Sequence, residues 1–161
     1  MPTEKAKERA EKVRWMLENK GKAKSRGQIL IAKAKEMQYT TNAKVAVGGS
    51  GQGGKSDSEQ ERHLLDKSDA METGERLSRI AKAIETDVRE LSKAKRTIVI
   101  QKTIFDGLTD KLARTRLESK PHPNTVRRIR NRAINELIDS GLLTLYGDMR
   151  KLLEKTEGLG Q

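Results

Sequence analysis

Residues 109–138, TDKLARTRLESKPHPNTVRRIRNRAINELI, decide the fold. Two helical patterns in this stretch are separated by ESKPHP at 118–123. Pro121 and Pro123 cannot continue a helix, and each restricts the residue before it. Thr109 is a suitable N-cap for a short helix ahead of this break. The stretch therefore predicts a short helix, a turn and a longer helix.

The longer helix is predicted over 124–140, with Asn124 as its N-cap. At 100° per residue, one side of this helix forms an apolar face within about 60°. The residues of that face are Val126, Ile129, Ala133 and Leu137. Arg130 lies near the edge of the face, and we expect its side chain to extend outward. The opposite side is basic and polar.

This basic side suits a nucleic acid. Residues 109–132 carry eight basic and two acidic side chains, and helix, turn and basic helix is the arrangement that enters the DNA major groove. Arginine pairs bidentately with guanine and asparagine with adenine. The candidate DNA-binding residues are Lys111, Arg114, Arg116, Lys120, Asn124, Thr125, Arg127, Arg128, Asn131 and Arg132. The alternative is a solvated basic face with no ligand.

The residues before the turn also follow helical spacing. Apolar residues recur over 77–91 at intervals of three and four, which predicts a long amphipathic helix. The β-branched run 97–100 favours a strand locally, but no second strand is available to pair with it, so we interpret it as a buried helix. The predicted fold class is all-α, with a C-terminal helix-turn-helix bundle, an N-terminal helical segment and a flexible glycine-rich linker.

Charge divides the 161 residues into unlike segments. The chain carries +11, which argues for a polyanionic partner, and residues 48–76 are net acidic between two basic flanks. We predict a basic helical segment at 1–47 and a flexible linker at 48–62. Within the first segment, one helix is capped by Thr3 and ends at Asn19 or Gly21, and a second runs over about 25–38. A helical DNA-binding domain at 63–145 and a C-terminal tail at 146–161 follow. The N-terminal helices have narrow apolar faces, so we expect them to dock weakly or to become ordered only with a partner.

Composition excludes several classes of protein. The chain has no cysteine, so it forms no disulfide or zinc finger, and its two histidines cannot build a histidine-rich metal site. Its four aromatic residues are too few for a base-stacking sheet. The carboxylate pairs lack a nearby histidine or nucleophile, so we predict no catalytic residue and no cofactor. The longest apolar run, 29–32, is too short for a membrane span, so we expect a cytoplasmic protein.

The glycine-rich stretch Gly49–Ser56 fits the phosphate-loop pattern G-x-x-x-x-G-K-[ST], after a possible strand at 44–47. Three acidic residues follow at once, and the chain offers too few strands for the parallel sheet that such a loop needs. We therefore interpret the stretch as a linker. A nucleotide-hydrolysing enzyme is the alternative that this motif leaves open.

The stretch 91–138 resembles region four of bacterial sigma factors. The matching residues are Leu91, Arg96, Ile98, Val99, Leu108, Thr109, Leu112, Ala113, Thr125, Val126, Arg127, Ala133 and Leu137. The wider layout is similar to the ArpU-like (autolysin regulatory protein) phage transcriptional regulators. These begin with a charged helix and a polar linker, followed by a Ser-x-x-Glu segment, here 56–59 or 58–61, that leads into a long helix.

The resemblance implies a phage- or prophage-encoded transcriptional regulator that binds double-stranded DNA in the cytoplasm of a bacterial host cell. RNA polymerase and a second copy of the chain are further candidate partners. The chain lacks the rest of a sigma factor, so promoter melting is not implied. A phage DNA-packaging factor that binds DNA as an oligomer, similar to a small terminase subunit, is the alternative function.

Overall fold

The structure, a computed structural model, describes the backbone of residues 3–47 and 57–158 and the side chains of 3–37 and 67–158. All regular structure in these ranges is helical, which confirms the predicted all-α class. The α-helices are α1 (Glu4–Glu18), α2 (Lys20–Val47), α3 (Asp57–Arg89), α4 (Ala94–Ile100), α5 (Asp110–Ala113), α6 (Pro123–Asp139) and α7 (Tyr146–Lys155). A π-helical turn, Gln101–Phe105, continues α4, and 3-10 turns occupy Arg114–Arg116 and Leu142–Leu145.

One cluster of buried apolar side chains joins both ends of the chain. It contains residues from α1, α2, α3, α6 and α7. The predicted apolar face of α3 lies in it, since Leu77, Ile80, Ala81, Ile84 and Val88 are all buried. Trp15 on α1 meets Tyr146 on α7 edge to face, with ring centroids 5.5 Å apart. Trp15 thus packs against the C-terminal half of the chain.

The N-terminal helices contribute to this core rather than docking weakly. Val13, Met16 and Leu17 of α1 are at most 1% exposed. Although α1 is mostly charged, these three residues share one face by their spacing of three and four, and that narrow face is enough to fill a groove. The observed α2 is longer than the helix predicted at 25–38. Residues 44–47 belong to α2 rather than to a strand.

Helices α2 and α3 form an antiparallel pair that crosses at two glycines. A Cβ built on Gly27 would lie 2.9 Å from the Gly74 carbonyl oxygen, and one on Gly74 would lie 2.9 Å from that of Gly27. Such distances exclude any side chain at either position, so glycine sets how closely the two backbones approach.

Helix α7 is tied to this pair at its C-terminal end. Buried Arg26 donates a hydrogen bond of 2.8 Å to the Leu153 carbonyl oxygen, and Lys155 pairs with Asp69. Met149, Leu152 and Leu153 are buried. The prediction of a C-terminal tail from residue 146 is therefore wrong through residue 155, because apolar residues at 149, 152 and 153 form a helical face that packs on the core.

The predicted linker, 48–62, is only partly within the described residues. Residues 48–56, which include the phosphate-loop pattern, lie outside them. Residues 57–62 form the first turns of α3 rather than linker.

Candidate nucleic-acid interface

Helices α4, α5 and α6 meet in a second, smaller apolar cluster. Val99, Ala113, Leu117 and Val126 are buried there, and Ile98, Leu108 and Ile129 pack against them. Val126, Ala133 and Leu137 on α6 are at most 1% exposed, which confirms the predicted apolar side of that helix. The small cluster holds the short helix α5 against the N-terminal half of α6, and the main core holds the C-terminal half.

The helix ends are fixed by local caps. The Thr109 side chain accepts a hydrogen bond from the Leu112 N–H, as predicted for the N-cap of α5. Asn124 is not the N-cap of α6. The helix begins at Pro123, whose missing N–H needs no partner at a first position, and His122 is the cap. The His122 Nδ1 accepts the Asn124 N–H at 3.1 Å.

The turn between α5 and α6 is braced from within by Arg114. Its Nε donates to the Pro121 carbonyl oxygen at 2.9 Å, and its Nη2 donates to that of Lys120 at 3.3 Å. Lys120 has φ of 43°, a left-handed conformation that costs energy in a residue with a side chain. Arg114 was predicted to contact DNA, but its guanidinium is directed at the turn and helps to hold this backbone in place.

Arg130 corrects another prediction. Its side chain points inward, and both of its terminal nitrogens donate to the carboxylate of Asp110 on α5. The residue is 9% exposed. The signal was present in the sequence, because Arg130 lies only about 40° from Val126 on the helical wheel, beside Leu137 at the edge of the apolar face.

The exposed side of α6 begins with a polar stripe. Asn124, Arg127, Arg128 and Asn131 follow the spacing i, i+3, i+4, i+7 and line a shallow depression of about 360 Å³. None of the ion pairs among the described residues involves Arg127, Arg128 or Arg132. These guanidinium groups are therefore available to an anionic partner.

Nine of the ten candidate DNA-binding residues are exposed, and the tenth, Arg114, is half-buried. The exposed residues outside the depression are Lys111, Arg116, Lys120, Thr125 and Arg132. Asp110 and His122 take part in the geometry of the site but were not among the predicted residues. The partner of Asp110 is identified only by the fold, whereas His122 accepts the N–H of Asn124, two residues along the chain.

Comparison with protein-family models, curated proteins and solved structures finds no match to this chain. In the ranges that the structure describes, no helix is long and apolar enough to cross a membrane. The same ranges hold no group of three or more acidic, histidine or cysteine side chains arranged to bind a metal ion.

Proposed function

We propose that the protein is a sequence-specific DNA-binding transcriptional regulator that inserts α6 into the major groove. The observation that carries the proposal is the stripe formed by Asn124, Arg127, Arg128 and Asn131. It is exposed at the beginning of a helix whose other side is buried, directly after a braced turn. In helix-turn-helix proteins the first residues of the recognition helix are those that reach base edges.

The side chains of the stripe are the types that read purines. Arg127 and Arg128 can each donate two hydrogen bonds to guanine O6 and N7, and Asn131 can pair with adenine N6 and N7. Lys111, Arg116 and Lys120 are exposed cations on α5 and the turn, where contacts to phosphates hold a protein in position without reading sequence. Arg114 instead supports the turn.

The charge of the chain supports a strong electrostatic component. With four to six phosphates neutralised, the logarithm of the affinity should fall against the logarithm of salt concentration with a slope of roughly −4 to −5. A slope near zero on duplex DNA would contradict the proposal.

The resemblance of 91–138 to sigma region four supports the assignment to transcription, with RNA polymerase as a second partner. The similarity of layout to ArpU-like regulators supports a phage or prophage origin and action in the cytoplasm of a bacterial host. Both assignments depend on the resemblance and go beyond what DNA binding alone requires.

The test compares Arg128→Ala with Arg116→Ala on a selected site and on a scrambled duplex, at two salt concentrations. Arg128→Ala should cost about 1–3 kcal/mol on the selected site and little on the scrambled one. Arg116→Ala should weaken both equally and make the salt slope less negative by about one.

Lys35→Ala, an exposed cation on α2, is the matched control and should change neither quantity. Equal losses on both duplexes for Arg128→Ala would show that α6 does not read sequence. The protein would then fit better as a DNA-binding packaging factor.

A further inference from the structure

We infer that the ion pair between Arg130 and Asp110 is a clamp that fixes α5 on α6, so that phosphate contacts from α5 depend on it. Arg130 and Asp110 are positioning residues, because neither is exposed as a DNA contact would be. The inference rests on the proposed function, since it concerns which residues bring Lys111, the exposed cation of α5, to DNA.

Helix α5 has little else to hold its first turn. It is four residues long, followed by a single 3-10 turn, and a helix of that length is not stable by itself in water. Its buried apolar residues, Ala113 and Leu117, lie at and beyond its C-terminal end. Leu112 is 55% exposed and contributes little packing. Asp110, in the first turn, is therefore the side chain that ties the N-terminal end of α5 to α6.

The geometry of the pair is directional. Two terminal nitrogens of Arg130 donate to two oxygens of Asp110, an arrangement that fixes angle as well as distance. The Arg130 Nε is buried and has no hydrogen-bond partner among the described residues, so Asp110 provides the whole of the side chain's hydrogen bonding there. The side chains of Arg130 and Asp110 are 10% and 30% exposed, so salt screens this partly buried pair less than it screens an exposed one.

The clamp also fixes the position of α5 along α6. Asp110 is adjacent to the exposed Lys111, and Arg130 is adjacent to Asn131 of the polar stripe. The pair therefore connects the turn of α5 that carries a phosphate-binding candidate to the turn of α6 that carries a base-reading candidate. When the pair is absent, α6 keeps its place in the core. The N-terminal end of α5 then keeps its Thr109 cap, the hydrogen bond from the Leu108 N–H to the Lys102 carbonyl oxygen and the small apolar cluster, but it has no ionic contact with α6.

The test is a double-mutant cycle in the full chain. The clamp is removed by the paired substitution Asp110→Asn with Arg130→Met, because replacing both partners of a buried pair, one by an apolar residue, often leaves stability unchanged, whereas removing one partner leaves a buried charge. Lys111→Ala is then made with and without the clamp. For all four proteins, binding to one duplex is measured at several salt concentrations, and circular dichroism checks the fold.

With the clamp intact, Lys111→Ala should make the salt slope less negative by about one. Without the clamp, the slope should already be less negative and Lys111→Ala should not change it further. A change of about one in both backgrounds would overturn the clamp while leaving the proposed function intact.

If the paired variant fails to fold, Asp110→Asn alone, at a temperature where circular dichroism shows it folded, replaces it with the same two outcomes. Absence of salt-dependent duplex binding in the unmodified protein would instead refute the proposed function, and the clamp with it.

Discussion

Glu136 on α6 binds both the loop before α4 and the first turn of α4 itself. Its Oε2 accepts a hydrogen bond of 2.8 Å from Arg96 Nη1, and its Oε1 accepts the Ser92 N–H at 2.7 Å. The hydrogen bond from Arg96 is the main reason that the pKa of Glu136 lies below its ordinary value of 4.5. Burial is the next-largest effect and opposes it, and the hydrogen bonds from Ser92 lower the pKa further. The ionised carboxylate is thus favoured by folding.

This lowered pKa predicts an acid-dependent part of the stability. The contribution is fully present above the pKa of the unfolded chain and is lost as pH falls through the lower pKa of the folded state. Glu136→Gln should therefore cost about 1 kcal/mol of unfolding free energy near neutral pH and much less at an acid pH well below the ordinary pKa of a glutamate. Urea titrations across this pH range measure it.

Glu154→Gln, which removes an exposed pair within α7, is the control for Glu136→Gln and should change stability by less than about 0.5 kcal/mol. Finding the same cost for Glu136→Gln at acid and neutral pH would show that the carboxylate's charge is not what stabilises the contact.

At the scale of single residues, periodicity predicts exposure better than it predicts partners. The angular positions of Arg127, Arg128 and Asn131 on the helix were enough to place them on the surface. The side chains of Arg130 and Arg114 are not directed outward as predicted, because a long charged side chain can turn inward to a hydrogen-bond acceptor. Their acceptors, Asp110 and the carbonyl groups of the turn, come together only in the folded chain.

At the scale of elements, the crossing of α2 and α3 depends on the absence of side chains. A Cβ on Gly27 would lie 2.5 Å from Ser78 Oγ and 2.9 Å from a carbonyl oxygen of the facing backbone. In sequence, Gly27 simply falls inside a predicted helix, where glycine is unfavourable by roughly 0.5–1 kcal/mol relative to alanine. Its use becomes evident only with Gly74 opposite, and no local pattern relates these two positions.

Two glycine-to-alanine substitutions in α2 distinguish the steric effect of the helix crossing on stability from the effect of helix propensity. Gly27→Ala should destabilise the protein by about 1–3 kcal/mol, because the new methyl group forces the two backbones apart. Gly21→Ala, with nothing within 4 Å of its new Cβ, should be neutral or stabilise by up to about 1 kcal/mol. Thermal unfolding of both variants measures the difference, and equal shifts would contradict the close crossing.

At the scale of the molecule, the shift in charge along the chain was a poor guide to packing. The basic flanks and acidic middle suggested separate units, whereas the main core contains residues of α1 and α2 beside those of α6 and α7. Charge patterning reports on surfaces, and only a few apolar residues are needed to join two segments. The all-α class was predictable because it follows from local spacing, while the shared core depends on contacts between residues over a hundred positions apart.

The shared core predicts that the two ends of the chain do not fold separately. Val13, Met16, Leu17 and Leu30 are all at least 92% buried, and burial of such side chains is worth about 1.5–3 kcal/mol each. Their sum is comparable with the whole stability of a small domain, about 5–15 kcal/mol. A fragment of residues 51–161 should therefore show reduced helicity and no cooperative unfolding by circular dichroism, and adding a fragment of residues 1–50 should restore both.

Leu17→Ala in the smaller fragment should weaken this reassembly by about 2–5 kcal/mol, whereas Lys35→Ala, on the exposed side of α2, should not. Cooperative unfolding of 51–161 alone, unaffected by 1–50, would mean that α1 and α2 merely cover a core that is already complete.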